Sequence, residues 1–108
     1  MVRSFAAIVF FASADEMRDW LEAHHETHAE LWVGIRRSGA GGMGVTFTEA
    51  LDEAMCFGWV NNMTWRIDDQ SKMVRFTPGP PRDTARAAEL RAEGRMHPAG
   101  IRALEGPR

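Results

Sequence analysis

The chain has 108 residues, 44% of them hydrophobic and 26% charged. This is the composition of one globular domain, and it excludes a disordered, collagen-like or coiled-coil chain. A net charge of −2 gives no bias toward nucleic acid, and a single cysteine, Cys56, excludes an internal disulfide framework.

The charge is unevenly placed. Residues 1–71 hold five Arg against eleven acids, and residues 72–108 hold eight basic residues against four acids. The plain reading is two solvated faces. No apolar run reaches the roughly 18–20 residues of a membrane span. The apolar start is followed at once by Asp15 and Glu16 without a small-x-small cleavage site, so it reads as a first strand, Phe5 to Phe11, rather than a signal peptide. A free cysteine and no signal peptide fit a cytoplasmic protein.

Ser13 and Glu16 have capping-box spacing, which predicts a helix to about Thr27. Met17, Trp20, Leu21, His24 and His28 share one stripe of that helix. Leu31 to Arg37 alternates as a strand. The glycine-rich loop from Ser38 to Gly44 follows, and Thr46 and Glu49 form a second capping box opening a helix to about Phe57. Its predicted buried face is Phe47, Leu51, Ala54, Met55 and Gly58.

From Trp59 the period becomes two. Trp59, Asn61, Met63, Trp65 and Ile67 fall on one predicted face, with Val60, Asn62, Thr64 and Arg66 on the other. A turn at 68–71 and a return strand from Met73 to Thr77 complete a hairpin. Three prolines in Pro78-Gly-Pro-Pro81 end the sheet. Asp83 or Thr84 caps a third helix, which Gly94 ends. Pro98 opens a short last helix, Ala99 to Leu104.

Five features bear on chemistry. Gly39-Ala-Gly-Gly-Met-Gly44 matches G-x-G-x-x-G, but its glycines do not open the next helix, whose cap is Thr46, and the chain is too short for a dinucleotide fold. It reads as a loop. His24 and His28 lie one helical turn apart, a spacing that suits two metal-bound imidazoles, yet no third ligand is visible. They read instead as structural histidines or general bases, and no metal or cofactor is assigned. Cys56 reads as a small core residue. Trp59 and Trp65 flanking Asn61 form a possible sandwich for a planar ligand, against the plainer reading of a packed sheet face. Arg75, Arg82 and Arg86 around the proline turn, with Arg91, Arg95 and Arg102 after them, supply guanidinium forks for an anionic group, without the aromatic interleaving of a nucleic-acid module.

Several blocks resemble the YdeI/OmpD-associated family. They are Phe11 to Leu21, Glu30 to Ile35, Thr46 to Val60 around Cys56-Phe-Gly-Trp59, Arg75-Phe-Thr-Pro78, and Glu93 to Gly100. The likeness runs through nearly the whole chain in order. It implies a small bacterial protein, some members of that family being linked to bacteriocin protection or tolerance of cationic antimicrobial peptides. It implies no agreed activity. The chain departs from the family twice: Asn61-Asn62 stands where Asp-Gly is usual, and Pro78 to Asp83 replaces a longer Trp-Ser segment. An amide cannot serve as a general base but still donates and accepts hydrogen bonds. Both changes are expected around one pocket, as in a diverged paralogue recruited to biosynthesis.

The expected architecture is a single α+β domain over residues 1–108, a small antiparallel sheet with helices packed on one side. The leading expectation is a small-molecule-binding domain with a stress or antimicrobial-resistance role. Trp59, Asn61, Trp65, Arg66 and Arg75 would bind the ligand. The alternatives are a cofactor-independent enzyme on a specialised metabolite, with His24 or His28 as general base, and a homodimeric interaction protein docking through its Ala-rich third helix.

Overall fold

The computed structural model describes residues 8–37 and 44–106. The elements are β1 (Ile8–Val9), α1 (Ala14–His24), β2 (Leu31–Arg36), α2 (Phe47–Cys56), β3 (Trp59–Asp68), β4 (Ser71–Pro78), α3 (Thr84–Ala92) and α4 (Pro98–Glu105). The α+β class expected from the sequence is what the chain adopts. The sheet order is β1-β2-β4-β3. One pairing corrects the antiparallel expectation: β1 runs parallel to β2, so the sheet is mixed, while β2–β4 and β4–β3 are antiparallel. The physical reason is that α1 connects β1 to β2, and a crossover helix returns the chain in the same direction. Residues 5–7 of the expected first strand, and 39–43 of the glycine-rich motif, lie outside the described residues.

Local sequence accounts for the helix boundaries. Ser13 Oγ accepts from the Glu16 N–H at 3.1 Å, but the Glu16 carboxylate reaches past the cap to the Ala12 N–H at 2.6 Å, so the reciprocal box is only half formed. Thr46 and Glu49 make both bonds of their box. Asp83 caps α3 through the Arg86 N–H, and His97 caps α4 through the Ala99 N–H, with Pro98 at the first helical position. α1 is shorter than predicted, ending at His24 rather than near Thr27.

The core lies on one face of the sheet. Leu31, Val33 and Ile35 of β2 alternate with Val74 and Phe76 of β4, all buried against Met17 and Leu21 of α1, Ala50 and Ala54 of α2, and Leu90 of α3. α2 is central, with α1, α3, α4 and β3 packed around it. Its buried residues therefore include Asp52, Glu53 and Cys56, which fall outside the amphipathic face read from the sequence. Among the described residues no helix is long and apolar enough to cross a membrane.

The hairpin holds the main departure from the sequence pattern. Asn61 pairs with Phe76, but Met63 pairs with Arg75, leaving Asn62 as the extra residue of a β-bulge. An extra residue inverts the alternation beyond it. Trp59 and Asn61 thus share the helix-covered face with Phe76, whereas Met63 and Trp65 share the outer face with Arg75 and Met73. The expected single face of Trp59, Asn61, Met63, Trp65 and Ile67 is therefore split in two. Trp59 is 2% exposed and Trp65 54%.

Candidate functional site

The side chains of α2, β3, β4 and the start of α3 line a half-open cavity of about 270 Å³. Leu51 and Met55 come from consecutive turns of α2, Trp59 and Asn61 from the unbulged part of β3, and Phe76 from β4. Thr48, Asp52, Arg82, Asp83 and Arg86 supply the polar part of the lining. The Arg86 fork binds Asp52 bidentately, with Nε to Oδ1 at 3.0 Å and Nη2 to Oδ2 at 2.8 Å, while Nη1 meets Glu89 at 2.8 Å. These bonds raise the Arg86 pKa above its ordinary value, with Asp52 the largest cause. Arg86 and Asp52 are thus committed to each other and form a rigid wall.

Arg82 is less committed. One Nη donates to the Asn61 carbonyl, which ties the proline turn to β3. Arg82 is exposed, and among the described residues neither its remaining N–H groups nor the side-chain amide of Asn61 makes a hydrogen bond within the protein. A half-buried amide and a partly free guanidinium therefore converge on an apolar floor. That arrangement is suited to a small molecule with an apolar body and a hydrogen-bonding head.

The residues singled out in the sequence are dispersed. Trp59 and Asn61 line this cavity. His24 and His28 do not. Their rings pack on Trp20 at 4.9 and 5.3 Å and on each other at 4.8 Å, and Trp20 in turn meets Trp59 edge-on at 6.2 Å. They belong to an aromatic cluster adjoining Trp59, and among the described residues no three His, Cys, Asp or Glu side chains are gathered to hold a metal. Trp65 faces the opposite side of the sheet, so the two-indole sandwich around Asn61 does not form; the bulge at Asn62 is the cause. Arg66 is on the helix-covered side but at the far end of the hairpin, beside Asp69. Arg75 is on the outer face, bonded to Glu30 at 2.7 Å and to Asn62 Oδ1 at 3.2 Å. Asn62 also donates to Thr77, so its amide clamps the bulge from the outer side.

The sequence reading missed Leu51, Met55 and Asp52 as cavity residues. The signal that could have found them was available: 51 and 55 are one turn apart, and 52 lies three residues before 55, on the same α2 wall. Arg82 and Arg86 were visible as arginines flanking the proline turn, without a partner to place them. A larger open cleft of about 530 Å³ is lined by Phe47, Arg66, Asp68, Asp69 and Lys72, but it adjoins Arg37, where the described residues stop.

Two other groups are structural. Cys56 is fully buried, and desolvation pushes its thiol up in pKa, partly opposed by Arg18; it suits a core residue and not a nucleophile. His97 stacks on Phe57 at 4.6 Å and lies 4.8 Å from His25. Burial, then the neighbouring His25, lowers its pKa from the usual 6.5. The neutral ring is required, because Nδ1 accepts the Ala99 N–H at the start of α4. A folded pKa below the unfolded one gives stability that is complete above about 6.5 and is lost as pH falls through the folded value. The midpoint of urea unfolding is thus expected to drop between pH 7.5 and pH 5. His97→Asn, which retains a capping acceptor, should flatten that slope; an unchanged slope would assign it to other groups.

A family model described as a domain of unknown function, DUF8412, matches residues 9–103. The chain belongs to the DUF8412 family. No curated protein and no solved structure matches it. The matched span includes every element from α1 to the body of α4, and with them the whole lining of the cavity.

Proposed function

We propose that this DUF8412 domain binds a small molecule in the cavity between α2, β3 and the start of α3. The observation that carries the reading is a convergence. Asn61 and Arg82-Asp83 lie in the two segments where the chain departs from the YdeI/OmpD-associated family it resembles, and they line one cavity with Trp59 and Phe76. The chemistry favours an aromatic or branched apolar body on Trp59, Met55 and Phe76, a polar edge at Asn61, and a carboxylate within reach of Arg82. The resemblance supports a cytoplasmic role in stress or antimicrobial resistance.

The reading as a cofactor-independent enzyme draws less support. Neither His24 nor His28 lines the cavity, and Asp52, the buried carboxylate there, is already held by Arg86.

Isotope-edited NMR titration with benzoate, benzamide and indole tests the proposal. Benzoate should shift the Trp59 indole N–H in a saturable way. Asn61→Ala should weaken it several-fold, by about 1 kcal/mol for one lost hydrogen bond, and Trp65→Ala should leave it unchanged. A Trp59 signal that none of the three probes moves would overturn the assignment of this cavity.

A further inference from the structure

Among the described residues, the outer face of the sheet carries apolar side chains that no element covers. Trp65 is 54% exposed, Met63 43%, Phe10 40% and Ile67 39%. Trp32 and Met73 lie among them on β2 and β4, half-exposed. Phe10 lies flat on this face, because its ring occupies the space where a side chain at Gly34 would be. The helices all serve the opposite face, so nothing in the described fold covers these side chains.

We infer that this face is the contact surface between two copies of the chain. Three observations point to a second copy. The first is size. Four strands of 2, 6, 8 and 10 residues, at ~4.8 Å between strands and ~3.3 Å per residue, give a flat footprint of about 400 Å². Two such faces total about 800 Å² before the relief of the Trp and Met side chains is added, near the roughly 1,000–1,200 Å² of a weak specific interface. The second is composition: Trp32, Met63, Trp65, Met73 and Phe10, with Arg75 standing between Trp32 and Met63 in the register, are of the aromatic, Met and Arg types enriched in interfaces. The third is charge. On this face Arg75 is paired with Glu30, and Arg36 packs against the Phe10 ring toward the hairpin end. The face therefore carries both signs. An isologous contact requires a patch that complements itself, and a patch of a single sign would repel its own copy.

The contact is face to face, sheet on sheet, with Trp65 and Met73 of each copy at its centre. It leaves the Trp59–Asn61 cavity on the far side of each sheet, so dimerisation and ligand binding are separable. The Ala-rich surface of α3, the docking surface expected from the sequence, takes no part.

Sedimentation velocity of the intact chain over about 5–500 µM tests this. The expected result is a monomer–dimer equilibrium within that range. Trp65→Glu should raise the dimer Kd at least about tenfold, the effect of losing one central anchor, while circular dichroism stays unchanged. Ala88→Glu on α3 should leave Kd as it is. A wild-type chain that stays monomeric throughout overturns the inference. So does a dimer that survives Trp65→Glu, or that Ala88→Glu dissociates.

Discussion

Gly100→Ala is expected to lower the melting temperature by about 10–20 °C, the equivalent of about 3 kcal/mol in a domain of this size. α4 crosses the C-terminal end of α2 at this residue. A Cβ at position 100 would stand 2.1 Å from the Cys56 carbonyl oxygen and 2.6 Å from its carbon. Both are backbone atoms of a helix end that cannot rotate away. The same carbonyl accepts the His97 N–H at 2.9 Å, so relieving the clash by sliding α4 breaks the bond that seats it. Gly58 faces the joint from the other side, at φ 78°, with its absent Cβ 3.0 Å from the Ala99 carbonyl oxygen. Cys56-Phe-Gly-Trp59 and the stretch ending at Gly100 are thus the two halves of one helix joint. Thermal denaturation followed by circular dichroism reads the effect. A loss below about 3 °C would mean that α4 docks loosely.

The second large effect is expected at Glu53. Glu53→Gln should cost about 2–3 kcal/mol, since it leaves two arginines without their anion. Glu53 lies in the middle of α2 with 8% of its side chain exposed, and its two oxygens meet Arg18 at 3.1 Å and Arg95 at 3.2 Å. Arg18 also donates to the Arg95 carbonyl at 2.8 Å and packs over the Phe57 ring at 5.1 Å. One carboxylate therefore ties α1, α2 and the segment after α3 together. The arginines are about a third exposed, which lets them recover some hydration and keeps the cost below that of a fully buried ion. Asp69→Asn serves as the comparison. It removes the exposed pair with Arg66 and should change stability by less than about 0.5 kcal/mol. Urea unfolding separates the two outcomes. Equal, small effects from both variants would show that the Glu53 cluster is no more than a surface pair.

These results bear on why the candidate site was only half legible in the sequence. Trp59 and Asn61 were found because they precede the bulge, where the two-residue period still holds. Trp65, four residues on, falls on the other face because one extra residue inverts the side chains that follow it, up to a second irregularity between Arg66 and Asp68. Asn62 gives no local signal of this. Its bulge is held by Arg75 and Thr77, thirteen and fifteen residues away. Arg75 was read as a ligand-binding group for the same reason: its partner Glu30 comes from a loop forty-five residues distant.

The short-range physics was written in the chain itself. Hydroxyl and carboxylate caps, Pro98, Gly94 and the change of period at Trp59 mark where helices and strands begin and end, because each acts within about four residues of its own backbone. Those signals determine the α+β class and the order of its elements. The tertiary structure alone decided which faces meet. It turned β1 parallel to β2, surrounded α2 so that Asp52 and Glu53 are buried, divided the tryptophans between cavity and outer face, and joined Asn61 to Arg82 across the proline turn. Contacts of that kind depend on register and packing between segments far apart in the chain, and no local pattern of residue types encodes them.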